Sequence, residues 1–263
     1  MLAFPPVPDG EDIRISATTF VAFGQCPERA EARLQGEYGP ETVESFKGGL
    51  AHRIFARHLT RGPIAAEDFE QVCREEIGSS GLNNKVALLG LRSSSLGRVV
   101  EEVRSLYRRF VQFPTEGFAG SEVGLSTEPA RGVELVGSID AVFDAHPGTR
   151  LVDWKTGGLG EAEVQLDFYC LLWVLVRGEL PSGAEAVSLA TGERTSRTPS
   201  LQVVEQVAQQ VADMVTVIRR FWSGGDSLEL RGGPWCWTCP RLAGCLEGQA
   251  ATAVGSAQPA GHV

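Results

Sequence analysis

The chain has 263 residues, 43% of them hydrophobic and 22% charged, which is enough apolar content and length for a sizeable folded core. A formal net charge of -9 excludes a protein coated in basic residues, so the charge balance does not predict general attraction to nucleic acid. No apolar run reaches about 18 residues, and Met1-Leu2-Ala3-Phe4-Pro5-Pro6 lacks the basic and apolar regions of a signal peptide, so the expectation is a cytoplasmic protein with no membrane partner.

From Ser16 the segment SATTFVAFGQCPERAEARL offers a hydroxyl cap, an apolar stretch broken at Gly24, then Cys26-Pro27 and a polar run, which predicts helix, elbow, helix. Residues 48–59 repeat apolar side chains at Leu50, Ile54, Phe55 and Leu59, a helix with His52 near its first turn. Residues 65–77 and 96–113 read as further helices, the second with Val99, Val100, Val103, Tyr107 and Phe110 along one stripe. After Pro114 the period changes towards two, giving strands near 119–126, 132–144 and 149–156. A helix follows over 165–176, then a strand pair over 184–198 turning at Thr191-Gly192, then an amphipathic helix over 201–222. The Ala, Gly, Gln and Ser rich end has no period and predicts a disordered, frayed tail over 247–263. The expected organisation is one domain over 1–246: a helical part at about 16–113, a sheet core at about 114–223, and a cysteine segment at 224–246 that reaches back to Cys26. Its class is α/β, a small mixed sheet flanked by helices.

Chemistry concentrates in GSIDAVFDAHPGTRLVDWKTG. Residues two apart in a strand share a face, so Asp153 and Lys155 project together while Val152 and Trp154 point the other way, and Asp140 faces them across a hairpin. Two acceptor-only carboxylates on one spot repel each other, and a hard divalent cation such as Mg²⁺ or Mn²⁺ is the usual neutraliser. A surface ion pair is the bland reading of Asp153 and Lys155, but Val152, Trp154, Ile139 and Val142 put the carboxylates at the border of a core. Glu122 is a further acidic candidate that an exposed edge strand explains equally well. Arg104, Arg108, Arg109, Arg219 and Arg220 could line a basic channel, and solvated helix faces are the simpler reading. His58, His146 and His262 have no partner pattern and read as solvated.

Three of six cysteines crowd into PWCWTCPRLAGC as Cys236, Cys239 and Cys245, a spacing that suits zinc or an iron-sulfur cluster. Cys26 is the best fourth ligand because Cys26-Pro27 echoes Cys239-Pro240, whereas Cys73 and Cys170 sit in helical stretches where neutral buried thiols are common. Joining Cys26 to the trio closes a loop of roughly 210 residues, worth about 5 kcal/mol of chain entropy.

Taken in order, Cys26-Pro27, Gly49-x-x-His52, Gly137-Ser138-Ile139-Asp140, Asp153-Trp154-Lys155-Thr156-Gly157, Gln165-x-x-x-Tyr169 and the cysteine trio resemble the RecB-like, iron-sulfur branch of the PD-(D/E)XK nuclease superfamily, which includes the AddB nuclease domain and CRISPR-associated adaptation nucleases. The resemblance implies a restriction-endonuclease-like core and a 4Fe-4S cluster on Cys26, Cys236, Cys239 and Cys245, in preference to zinc. It implies that His52, Asp140, Asp153 and the Trp154 carbonyl hold a catalytic Mg²⁺ or Mn²⁺. Lys155 would serve the attacking water, and Gln165 and Tyr169, one helical turn apart, would border the site and touch DNA. The implied activity is deoxyribonuclease, a single-strand or end-directed exonuclease in DNA repair or recombination. Its alternatives are trimming of prespacer ends for CRISPR adaptation beside an integrase, and a non-catalytic iron-sulfur DNA-binding module. There is no GxxxxGK[ST] phosphate loop, so a helicase would be a separate partner.

Overall fold

The computed structural model describes residues 2–146 and 148–256. A short strand β1 (Ile13–Ser16) runs straight into α1 (Ala17–Gln25), and α2 (Pro27–Leu34) restarts after Cys26 alone. Ser16 makes the switch: its extended backbone ends the strand, and its Oγ accepts from the Thr19 amide at 3.2 Å, satisfying a donor at the helix start. Pro27 opens α2 where a missing N–H is harmless, which gives the elbow. Helices α3 (Val43–Arg61), α4 (Phe69–Ser79), α5 (Leu82–Leu88) and α6 (Ser93–Phe110) follow.

The sheet is mixed. Strands β2 (Phe118–Ala130), β3 (Val133–Ala145) and β4 (Gly148–Lys155) run antiparallel in succession. Helix α7 (Ala162–Arg177) then crosses to β5 (Gly183–Ser188), parallel to β4 and paired in turn with β6 (Arg194–Arg197). The long α8 (Leu201–Trp222), two 3-10 turns at Pro234–Thr238 and Leu242–Gly244, and α9 (Leu246–Ser256) complete the chain.

One edge of β3 carries β2 from Phe143 to Val133. The other edge is shared: β1 pairs in parallel with residues 133–136, and β4 pairs antiparallel with residues 141–145. The sheet therefore forks at residues 137–140, where that edge of β3 has no strand pairing. The last β3–β4 pair is Ala141 with Val152, so Asp140 and Asp153 hold the next register position, where the strands part.

Two cores flank the sheet. On one face α1, α7 and α8 pack Phe20, Phe168, Leu171 and Val211 against Ile15 and Leu135. On the other, α3, α4 and α6 pack Phe46, Phe55, Phe69 and Phe110 against Phe143, Val152 and Trp154. Trp154, 2% exposed, meets Phe110 and Phe113 edge to face with centroids 5.2 and 4.6 Å apart. Such contacts add about 0.5–1.5 kcal/mol each beyond area burial. Burying Val152 and Trp154 here turns Asp153 and Lys155 to the opposite face.

Several expectations are corrected. Residues 247–256, read as tail, belong to α9: Gln249 N donates to the Cys245 carbonyl at 2.9 Å and Thr252 is buried. This helix docks on the cysteine turns, a tertiary support that Ala and Gly composition does not announce. Residues 257–263, with His262, lie outside the described residues. Strand β1 and helix α5 were not expected from periodicity.

Three of the five arginine candidates are committed to structure. Arg219 is not on a solvated face: it is 5% exposed and donates to the carbonyls of Pro8 at 2.5 Å, Glu11 at 3.1 Å, Arg131 at 3.3 Å and Gly132 at 2.9 Å. Arg109 donates to the Leu189 and Ala190 carbonyls, and Arg104 to Glu101 and the Ala66 carbonyl. Arg108 is exposed, and Arg220 lies 4.0 Å from Asp226. His58 is half-buried with its Nδ1 2.8 Å from the Tyr107 hydroxyl, rather than solvated.

Candidate active site

At the fork a side chain replaces the missing strand partner. Trp154 N donates to Asp140 Oδ2 at 2.7 Å, and Asp140 Oδ1 lies 3.0 Å from Nδ1 of His52 on α3. Asp153, 4% exposed, forms an ion pair with Lys155 at 2.9 Å through Oδ2. Its Oδ1 accepts from Gln165 Nε2 at 3.1 Å. Gln165 in turn accepts from Lys155 Nζ at 2.5 Å and donates to the Tyr169 hydroxyl at 2.8 Å. His52, Asp140, Asp153, Lys155, Gln165 and Tyr169 thus stand in one contact network, linked through the Trp154 main chain.

Gly137 lets α7 close over the fork. A Cβ at this position would sit 2.9 Å from Leu172 Cδ2 and 3.1 Å from Tyr169 Cε1, so a larger residue would require those side chains to shift.

Burial and the nearby Asp140 charge push the Asp153 carboxyl up to about 6, with Lys155 only partly offsetting them. Burial opposes protonation of His52, yet Asp140, with Asp153 and Glu122 behind it, outweighs burial and holds the imidazole above its usual range. Tyr169 is raised by burial and then by Asp153, so its hydroxyl stays a neutral hydrogen-bonding group. The negative potential at this point is the electrostatic condition that a divalent cation relieves. Donors are carboxylate oxygens and one imidazole, a hard set that fits Mg²⁺ or Mn²⁺.

Glu122, a weak candidate in the sequence, sits on β2 in register opposite Asp140. Potential ligand atoms of His52, Glu122 and Asp140 all lie within 4.8 Å of one another, the only such group of His, Cys, Asp or Glu among the described residues. Its pKa is raised by burial and by Asp140.

Beside Lys155 and Gln165 opens a groove of about 270 Å³, whose far wall is Thr18, Gln25, Arg29 and Arg33 from α1 and α2. Among the described residues Arg29 and Arg33 enter none of the ion pairs: Arg29 donates to Gln25 and to Thr238 Oγ1, and Arg33 to Thr18 Oγ1 at 3.2 Å. Arg33 Nε is buried with no partner. These two arginines were missed in the sequence, where their i,i+4 spacing directly after Cys26-Pro27 was the available signal.

Arg29 also lines a second cavity, walled by Cys26, Cys236, Cys239 and Cys245. Gly248 N donates to Cys245 Sγ at 3.3 Å, and a Cβ there would lie 3.4 Å from Cys245 Sγ and 3.6 Å from Cys236 Sγ. Arg241 from the same segment reaches three carboxylates: Glu28 at 2.7 Å and Glu31 at 2.5 Å on α2, and Glu37 at 2.7 Å. Cys73 and Cys170 are apart from the cavity, both thiols pushed up to about 12 by burial.

The fold is similar to that of a "Putative exonuclease" from Eubacterium rectale, with a TM-score of 0.55 at 12% identity over 83% of this chain and 84% of the other. A weaker likeness, to the structure of SSO0001, has a TM-score of 0.42 at 11% identity over 91% of this chain and 88% of that one. No curated protein matches the sequence. The family model of the PD-(D/E)XK nuclease superfamily matches residues 14–245, which span the fork, the groove and the cysteine segment, and the chain belongs to that superfamily.

Proposed function

We propose that this nuclease is a divalent-metal-dependent deoxyribonuclease that hydrolyses phosphodiester bonds of single strands or DNA ends, as an exonuclease of repair or recombination. The observation that supports the reading is the fork, where Asp140 meets His52 and accepts from Trp154 N while the neighbouring Asp153 pairs with Lys155. His52, Asp140, Asp153 and the Trp154 carbonyl would hold Mg²⁺ or Mn²⁺. When bound, that ion supplies Lewis-acid stabilisation of charge on the phosphate oxygens and acidifies water.

The chain's own groups do the rest. Lys155, held by Asp153 and Gln165, presents a fixed positive charge to the scissile phosphate and a donor to the attacking water. Gln165 fixes the Lys155 ammonium and the Asp153 carboxylate relative to each other, and Tyr169 fixes Gln165 in turn. Arg29 and Arg33 face Lys155 across the groove and would grip flanking phosphates, which answers the net charge of -9: the basic groups that matter are gathered along one strand's path.

The cysteine quartet is read as the seat of a structural 4Fe-4S cluster. In support, all four line one cavity; the preference for a cluster over zinc comes from the family resemblance. A trimming role beside an integrase, or a helicase partner, is the same chemistry in another assembly.

The test is cleavage of end-labelled single-stranded DNA by anaerobically purified protein with Mn²⁺ and with EDTA. Mn²⁺-dependent shortening that Lys155→Ala abolishes is expected. Cleavage that persists in EDTA, or in the Lys155 variant, overturns the assignment.

A further inference from the structure

We infer that Glu122 is a ligand of the divalent cation at the fork, joining His52 and Asp140 from the strand on the far side of Asp140. This inference rests on the reading of the fork as a metal site and adds a residue outside the Asp-x-Lys hairpin.

Three observations carry it. Glu122 and Asp140 are register neighbours on β2 and β3, so Asp140 stands between two carboxylates, Glu122 on one side and Asp153 on the other. Only the Glu122 side forms a compact group with His52, all three potential ligand atoms lying within 4.8 Å. Asp153 is engaged by Lys155 and Gln165, whereas Glu122 enters none of the ion pairs among the described residues and accepts only a long hydrogen bond from Ser138 at 3.4 Å. Two carboxylates and an imidazole gathered in this way form a donor set that a divalent cation would complete.

The backbone sharpens the case. Glu122 has φ of +50° and is the one non-glycine residue with positive φ among those described. A left-handed conformation disfavours side chains with a Cβ, so a glycine would fit this spot in β2 with less strain. An ordinary exposed edge-strand glutamate has no reason to occupy such a position, whereas a ligand that must be aimed at His52 and Asp140 does.

Strain relief and ligation predict opposite responses to one substitution, which makes Glu122→Gly informative beside Glu122→Gln. The full chain, with its cysteine site loaded, is titrated with Mn²⁺ alone, and free Mn²⁺ is followed by electron paramagnetic resonance. Asp140→Asn is the loss-of-binding control. Both Glu122 variants should bind Mn²⁺ at least tenfold more weakly than the parent, while Glu122→Gly unfolds at a temperature equal to or above the parent's in EDTA. Parent-like Mn²⁺ binding by both variants overturns the role of Glu122 and leaves the metal site standing. A parent protein that binds no Mn²⁺ overturns that site and this inference together.

Discussion

The fork and the cysteine cavity are two ways of bringing reactive side chains together. At the fork, Asp140 and Asp153 lie close in sequence and are placed by strand register; Trp154 N, Gln165 and Lys155 supply fixed partners, so the site is built by ladder hydrogen bonds and a packed helix. At the cavity, Cys26 and the trio are separated by most of the chain and carried on an elbow and short 3-10 turns. The first site is preorganised by the protein and burdened by its own charge; the second depends on what its thiols hold. On the proposed reading a catalytic ion would be exchangeable without loss of fold, whereas a cysteine-bound group would contribute to the fold itself.

The comparison breaks most sharply if the two sites fail to separate. Lys155→Ala should lower cleavage by about 10³-fold or more with unchanged absorption from the cysteine site; loss of that absorption would mean that the fork is also a folding element. Cys239→Ala should do the reverse in kind, lowering stability by about 2–5 kcal/mol through loss of the group its thiolate would hold, measured by denaturant unfolding. A Cys239 variant as stable as the parent would reduce the quartet to spectators.

A smaller effect comes from the charge stored at the fork. An acid whose folded pKa is raised from about 3.9 to about 6 binds its proton more tightly in the folded state. The metal-free protein therefore loses stability as pH rises from about 4 through 6. His52, also raised, acts in the same direction: its contribution is complete below about 6.5 and is lost as pH climbs through its folded value. Asp153→Asn should flatten the lower part of this slope and stabilise the EDTA-treated protein at pH 7 by about 1–3 kcal/mol, while removing activity. Thermal melts from pH 4.5 to 8 measure it, and an unchanged slope in the variant would remove Asp153 as its source. The smallest effect is expected on the groove: Arg33→Ala should weaken single-stranded DNA binding about threefold to tenfold and reduce the salt dependence by about 0.7 in slope, with Mn²⁺ affinity unaltered. Unchanged salt dependence would place the strand elsewhere.

How much of this was legible follows the same division. The Asp153-Trp154-Lys155 alternation declared its faces because Val152 and Trp154 are apolar and strand periodicity is strict. Helix α8 declared itself through Val204, Val207, Val211, Val215 and Ile218. What tertiary contact creates stayed hidden. β1 is four residues long and owes its existence to pairing with β3. α9 rests on the cysteine turns, and Arg219 looked like a surface charge until four carbonyls surrounded its guanidinium. Glu122 was legible only as an acidic candidate that an exposed edge strand explained equally well, since composition does not encode its positive φ.

Arg241 gives the cysteine segment a second attachment that owes nothing to sulfur. One guanidinium spread over Glu28, Glu31 and Glu37 ties the C-terminal turns to the α2 elbow bearing Cys26. On the proposed reading, loading the thiols would then be a local step on a preassembled berth, with no search through a chain of such length.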